Sequence, residues 1–221
     1  MPVLPAFDFP PFRLSGVVVG ALLNDPATLA ALGDALSAPP YKAAPKAPVL
    51  QVKPRNTLVG DGAVVAVPAD AEALEIGATL AIVIGSGASR IAGYTLAADL
   101  SIASDTTDRH YRPGVRQRAR DGFCPLAARV LPAATVSSPD ALNLTLSIDG
   151  ETVQRTSTAD RVRSVAQLVA DVSAFMSLQP GDLLLLGASH GAPRARAGQR
   201  IDIAIEGLPL SLRFELRSDT R

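Results

Sequence analysis

Leu74-Glu75-Ile76-Gly77-Ala78-Thr79-Leu80-Ala81-Ile82-Val83-Ile84-Gly85 decides how this chain folds. Its centre, Ala78–Ile84, is a continuous apolar run between two glycines. Such a run reads as a strand buried on both faces. Gly93–Leu100 reads as a second strand a short distance on. Working outward, Ser15–Leu23 is a further buried strand. Asp25 then offers a helix N-cap with Pro26 at the first helical position, and Leu29, Leu32 and Leu36 follow at helical spacing. Pro39-Pro40 ends that helix, and Ala38–Pro48 is a Pro/Lys-rich surface loop.

Val49–Val52 and Ala63–Val67 read as short strands about a Gly60-Asp61-Gly62 turn, and Asp105–Arg120 as polar and irregular. Asn143–Ile148 and Glu151–Arg155 flank Asp149-Gly150, a strong hairpin signal. Val165, Leu168, Val169, Val172 and Met176 recur at helical spacing behind Ser164, a candidate cap. Pro180-Gly181-Asp182 breaks that helix ahead of the strand Leu183–Leu186, and Ile201–Ile205 and Leu210–Leu216 close the chain as strands. The sum is a strand-rich α+β fold with about two helices. We read residues 1–40 as an arm, strand and helix, and 41–221 as the main domain, the two forming one compact unit.

Composition narrows the function classes. Hydrophobic residues make up 48% of the 221 residues but aromatics only 4%, with no Trp, so the core must be built from Val, Leu, Ile and Ala. Such residues suit sheets. Lys and Arg number 21, as do Asp and Glu, so no global field draws the chain to nucleic acid or an anionic membrane. The single cysteine, Cys124, excludes an intramolecular disulfide and points to a reducing compartment. It is read as a small buried hydrophobe, against the alternative of a reactive thiol. Arg13 and the apolar run Leu14–Leu23 imitate a signal peptide, but Asn24-Asp25-Pro26 interrupts the run and the first twelve residues carry no basic charge. The run is too short to span a bilayer. The expectation is a cytoplasmic protein without a membrane partner.

A series of motifs resembles the fumarylacetoacetate hydrolase family. Val52-Lys53-Pro54-Arg55-Asn56-Thr57 is similar to its Lys-Pro strand. Ala81–Gly85 followed by Gly93-Tyr94-Thr95-Leu96-Ala97-Ala98-Asp99 resembles its metal strand and its GY-x-x-x-x-D strand. Asp121-Gly122-Phe123-Cys124-Pro125-Leu126, Leu178-Gln179-Pro180-Gly181-Asp182 and Ala197-Gly198-Gln199-Arg200-Ile201 through Glu206-Gly207-Leu208 resemble later family motifs, in the family's order. Tyr41–Lys46 with Lys53–Thr57, and Tyr111-Arg112-Pro113 leading into Arg120–Pro125, are similar to one branch: the first subunit, or N-terminal half, of the bifunctional isomerase/decarboxylases of 4-hydroxyphenylacetate degradation.

The resemblance implies a mixed β-roll and a small carboxylate substrate: 5-oxopent-3-ene-1,2,5-tricarboxylate and 2-hydroxyhepta-2,4-dienedioate. It also implies a Mg²⁺ or Mn²⁺ ion, and a homodimer or a heterodimer with a homologous, metal-competent subunit. The family holds its ion with Glu-x-Glu on one strand and an Asp on the next, because residues two apart on a strand share a face and hard cations take carboxylate oxygens. Here the Glu positions fall on Gly77 and Thr79. Glu75 keeps the alternation but lies one step too far back, and Asp99 matches the family Asp. The metal ligands left are Asp99 and, out of register, Glu75, so the site reads as degenerate.

Family hydrolases also carry a His and a Glu after the first strand, and Asn24–Leu36 has neither. This disfavours an acylpyruvate hydrolase, which must activate water, and leaves decarboxylation or isomerisation. Arg118 matches the family's active-site Lys. Arg118, Lys53 and His190 are the candidate catalytic residues, His190 as a proton shuttle or otherwise a plain loop histidine. Arg55, Tyr111, Arg112 and Arg120 are the candidate substrate-binding residues, since guanidinium groups grip carboxylates in a fork.

Overall fold

A computed structural model describes residues 17–39, 42–86, 91–103, 114–159 and 161–219. Strand β1 (Val18–Leu22) leads into helix α1 (Pro26–Leu32), then β2 (Val49–Lys53), β3 (Leu58–Val59) and β4 (Ala63–Val67). The long strands β5 (Leu74–Ile84) and β6 (Ile91–Ile102) precede a single helical turn, α2 (Val115–Arg118), and the short strands β7 (Cys124–Pro125) and β8 (Leu131–Pro132). The hairpin β9 (Asn143–Ile148) and β10 (Glu151–Ser157) is followed by α3 (Val165–Ser173), β11 (Leu183–Leu185), β12 (Arg194–Ala195), β13 (Arg200–Ile205) and β14 (Ser211–Ser218).

These strands form two main sheets. The larger runs β2-β1-β11-β5-β6-β8 with β12 added to β5, and the smaller runs β10-β9-β13-β14-β4. Both sheets mix parallel and antiparallel pairs: β1 is parallel to β11, and β14 to β4. The apolar run Ala78–Ile84 lies mid-sheet, and every residue of β5 except Glu75 is buried. Its even-numbered side chains (Ile76, Leu80, Ile82) meet Leu146, Ile203 and Phe214 of the smaller sheet in the main core. On the opposite face, Ala81 and Val83 pack with Val18, Cys124 and Leu126 in a second cluster. Strand β14 buries alternate residues only, as expected of a sheet with one wet face.

The local signals act as their chemistry requires. The Asp25 side chain accepts from Thr28 N at the start of α1, and the Ser164 side chain accepts from Gln167 N at the start of α3. Asp149 and Gly150 both take positive φ, 52° and 87°, the twist a two-residue hairpin turn demands. The two-residue strands β3, β7, β8 and β12 and the helical turn α2 are additional to the elements expected from sequence. α2 forms inside the stretch read as irregular, because one turn spanning two arginines carries no apolar periodicity to detect. The described residues thus contain three α-helices, of which the sequence showed the two amphipathic ones. Cys124 is fully buried, and burial pushes its thiol up to about 12 against a lowering influence from Lys53. It stays protonated and is no nucleophile.

Asp182 ties the larger sheet together. Its buried carboxylate accepts from Val17 N and Gln179 N, both at 2.7 Å, which sets β1 beside β11. Asp182→Ala should leave two backbone donors without their acceptor and lower stability by about 2–4 kcal/mol, read as a fall in the urea midpoint with unchanged slope.

Candidate functional site

β5 and β6 pair antiparallel with Gly77 directly opposite Asp99, Glu75 opposite Ser101 and Thr79 opposite Ala97. Asp99 therefore shares a sheet face with the 75–77–79 alternation. On that face lies a pocket of about 70 Å³, lined among others by Glu75, Gly77, Asp99, Arg118, Ser189 and His190. Its remaining walls come from the end of β1, from Thr28 on α1 and from the turn that follows β11.

Lys53 lies beneath the pocket. Its ammonium is fully buried, 2.5 Å from Asp99 Oδ1. It also donates to the carbonyls of Arg118 (3.1 Å), Phe123 (3.3 Å) and Leu100 (3.4 Å). The other Asp99 oxygen, Oδ2, accepts from the Gln51 amide and lies 3.4 Å from an Arg118 nitrogen. Burial is the largest single influence on Asp99 and would raise its carboxyl. The charges of Lys53 and Arg118, with the hydrogen bonds from Lys53 and Gln51, outweigh it and hold the carboxyl below the usual range.

The positions where the resemblance puts metal-binding glutamates have taken another job. A Cβ on Gly77 would fall 2.8 Å from Ala188 Cβ and 2.8 Å from Asp99 O, so Ala188 already fills that space. Thr79 Oγ1 accepts from Gly187 N at 3.0 Å. Gly187 has φ +105°, and a Cβ there would lie 2.8 Å from Ala21 O. The Gly187-Ala188 turn is thus seated on the two positions that would otherwise carry carboxylates. Glu75 accepts from Ser101 Oγ at 3.4 Å and lies 3.8 Å from Arg194. The described residues contain no cluster of three or more His, Cys, Asp or Glu able to share an ion. A Mg²⁺ or Mn²⁺ ion needs several carboxylate or carbonyl oxygens. Here both Asp99 oxygens face cations or an amide donor, and the donor set does not fit the metal that the resemblance implies.

Behind Thr28, Ser189 and His190 lies a second, partly buried ion pair. Arg161, only 4% exposed, lies 3.3 Å from Asp25 Oδ1 and donates to Ser157 O and to Ser189 Oγ, at 2.8 and 2.7 Å. Asp25 Oδ2 in turn accepts from His190 N at 3.1 Å. The helix cap, the turn after β11 and Arg161 are therefore locked together.

Of the residues singled out in the sequence, Arg118, Asp99, Glu75 and His190 meet at the pocket, with Lys53 behind Asp99. Arg55 is exposed on the short turn after β2 and is not part of the lining. Arg120 lies elsewhere, gripping Asp70 at 2.8 Å together with Arg116 at 2.7 Å. Tyr111 and Arg112 lie outside the described residues. The sequence reading passed over Gln51 and Arg161. Gln51 had a signal: along β2, Gln51 and Lys53 are buried while Val52 between them is 62% exposed, an inverted alternation that marks a polar, inward face. Arg161 had none, since its partner Asp25 is 136 residues away.

A mixed two-sheet roll with an acid–base pocket on its long central strands defines the class. The chain belongs to the fumarylacetoacetate hydrolase family: residues 17–213 match the family model "Fumarylacetoacetate (FAA) hydrolase C-terminal". It is 38% identical over 205 residues to the 4-hydroxyphenylacetate degradation bifunctional isomerase/decarboxylase of Salmonella dublin, which covers 89% of this chain but 46% of that protein. The chain thus spans about half the length of that relative. It is 33% identical over 177 residues to a mitochondrial oxaloacetate tautomerase of Arabidopsis thaliana, covering 75% of this chain and 79% of that one. Fumarylpyruvate hydrolase from Pseudomonas aeruginosa, solved with Mn²⁺ and pyruvate, superposes with a TM-score of 0.77 over 99% of this chain and 97% of its own at 23% identity, a likeness of fold. Among the described residues no helix is long and apolar enough to cross a membrane.

The lowered Asp99 carboxyl makes stability depend on pH. A group depressed in the fold stabilises fully above its unfolded-state value, about 3.9, and loses that contribution as pH falls through its lower folded value. Asp99→Asn should therefore cost stability at pH 7, and its gap to wild type should shrink below about pH 4, read by urea unfolding at each pH. Lys53→Met, which strands a buried carboxylate, should lose about 3–5 kcal/mol at pH 7.

Proposed function

We propose that this chain is an isomerase/decarboxylase-type subunit of aromatic catabolism, acting in the cytoplasm on 5-oxopent-3-ene-1,2,5-tricarboxylate and 2-hydroxyhepta-2,4-dienedioate, with turnover dependent on a homologous, metal-competent subunit in the same dimer. The observation that carries the proposal is the convergence of Arg118, His190 and Asp99 on one pocket of a chain that resembles half of a bifunctional isomerase/decarboxylase. Decarboxylation breaks the bond to the departing carboxylate, releases CO₂ and leaves the electron pair as an enolate that must then take a proton. A fixed cation beside the oxygen where that charge collects lowers the barrier. In this reading Arg118, which lines the pocket, takes this role, and His190, also in the lining, carries the proton.

The Asp99 arrangement favours a second reading: a structural subunit that keeps the fold and interface and leaves all chemistry to its partner. A hydrolase of acylpyruvates is supported less, because the segment bordering the pocket after β1 contributes Thr28 and no His or Glu.

Co-expression with a metal-competent homologous subunit decides among these. The pair should consume the tricarboxylate, and this chain alone should be at least about a hundredfold slower. Arg118→Ala in the pair should cut kcat by about tenfold or more. No change in kcat would favour the structural reading, and full metal-stimulated turnover by this chain alone would sink both.

A further inference from the structure

The turn that follows β11 carries His190 into the pocket lining, and a glycine stands at each of its ends. Gly187 has φ +105° and Gly191 φ +69°. Glycine permits such values without steric cost but fixes nothing, so contacts from outside the turn must hold Ala188-Ser189-His190. Those contacts concentrate on the backbone of His190. Its N–H donates to Asp25 Oδ2 at 3.1 Å, and its carbonyl accepts from Gln154 Nε2 at 3.2 Å. The same Gln154 nitrogen donates to Gly191 O at 3.2 Å. One residue before His190, Ser189 Oγ accepts from Arg161 at 2.7 Å.

A break in strand register delivers Gln154. β9 and β10 pair with Thr152 opposite Ser147 and Gln154 opposite Leu146, so Val153 is the extra residue of a bulge. Directly opposed residues of an antiparallel pair share a face. The bulge therefore puts Gln154 on the face of the buried Leu146 and leaves Val153 43% exposed. An unbulged strand would have done the reverse, turning the valine in and the glutamine out. Arg161 follows the same strand. Its buried guanidinium is joined to Asp25, Ser157 O and Ser189 Oγ, so a charge that burial penalises is committed to the same turn and to the helix cap beside it.

We propose that Gln154 and Arg161 are positioning residues for His190: from the edge strand of the smaller sheet and the segment after it, they hold the turn against Asp25 and so fix where the imidazole stands in the pocket. Neither residue is part of the lining. They act through the His190 backbone and the Ser189 hydroxyl, which leaves the imidazole itself available to carry a proton. Only the use made of His190 depends on the isomerase/decarboxylase reading. The hold on the turn does not, and failure of the pair to consume the tricarboxylate would leave it standing.

Nuclear magnetic resonance on the isotope-labelled full chain tests this without turnover. His190→Gln identifies the His190 imidazole signal by its loss. In Arg161→Met and in Gln154→Ala that signal should shift and broaden, and the His190 amide should exchange with solvent about tenfold faster or more. Amides of β9 and β13 should keep their wild-type exchange rates. Arg161→Lys, which keeps the charge but not the fork, should fall between Arg161→Met and wild type. Gln154→Ala trims a half-buried side chain on an edge strand and decides the matter if Arg161→Met fails to fold. An unchanged imidazole signal in Gln154→Ala would overturn the proposal. So would exchange that quickens equally in β9 and β13, as a general loss of stability would give.

Discussion

The buried contact between Lys53 and Asp99 sets the character of this molecule. A carboxylate facing the interior of a sheet costs several kcal/mol unless it is paired and hydrogen-bonded. Here Asp99 is ion-paired with Lys53 and accepts from the Gln51 amide. The ammonium comes from the end of β2, the amide of Gln51 from the same strand two residues earlier, and the guanidinium of Arg118 from α2. Two partners come from β2 and one from α2, so the contact couples β2, β6 and the segment after β6. The carbonyls that accept from Lys53 extend the coupling to Leu100 and Phe123, both of the main core. An ion pair of this kind contributes little net stability over an apolar core of the same shape. What it does is fix where the arginine points.

The same geometry explains why family membership and metal chemistry part company. The sheet that presents an acidic alternation toward one ion is intact, with Gly77 opposite Asp99 in the antiparallel register. The side chains on it have changed their role. Gly77 provides room for Ala188, Thr79 provides an acceptor for Gly187 N, and the turn after β11 lies against both. Close packing makes such an exchange cooperative, because the volume given up by one side chain is filled by its neighbours.

Much of this was legible in the sequence, and what was not has a physical cause. The buried strand around Ala78–Ile84, the Asp149-Gly150 hairpin and the two capped helices each depend on short-range chemistry, and each formed where local patterning placed it. Gly77 and Thr79 fall in place of carboxylates by register on one strand pair, which a period of two protects. The partners of Arg120 were not legible. Nothing in its neighbourhood names Asp70, fifty residues earlier, as its ligand. The Asp25–Arg161 pair and the inward face of Gln51 depend on tertiary contacts between distant segments, and only the inverted alternation in β2 left a trace of either.

Restoring a metal site to this scaffold would take several linked changes. A glutamate at Gly77 places its Cβ 2.8 Å from Ala188 Cβ and from a backbone oxygen of Asp99, and the backbone atom cannot rotate away. A glutamate at Thr79 removes the acceptor for Gly187 N and so frees the turn that would have to move. That gain comes at the cost of a buried donor left unpaired, about 1–3 kcal/mol. Even with both in place, Asp99 would still face Lys53 at 2.5 Å, and an arriving dication would have to share a carboxylate with a fixed ammonium. At a few ångströms in a protein interior, that repulsion is several kcal/mol. The three obstacles reinforce one another, because the turn, the glycine and the lysine each hold the arrangement that the others need. A change at any single position therefore meets a site already closed to a divalent cation by the remaining two.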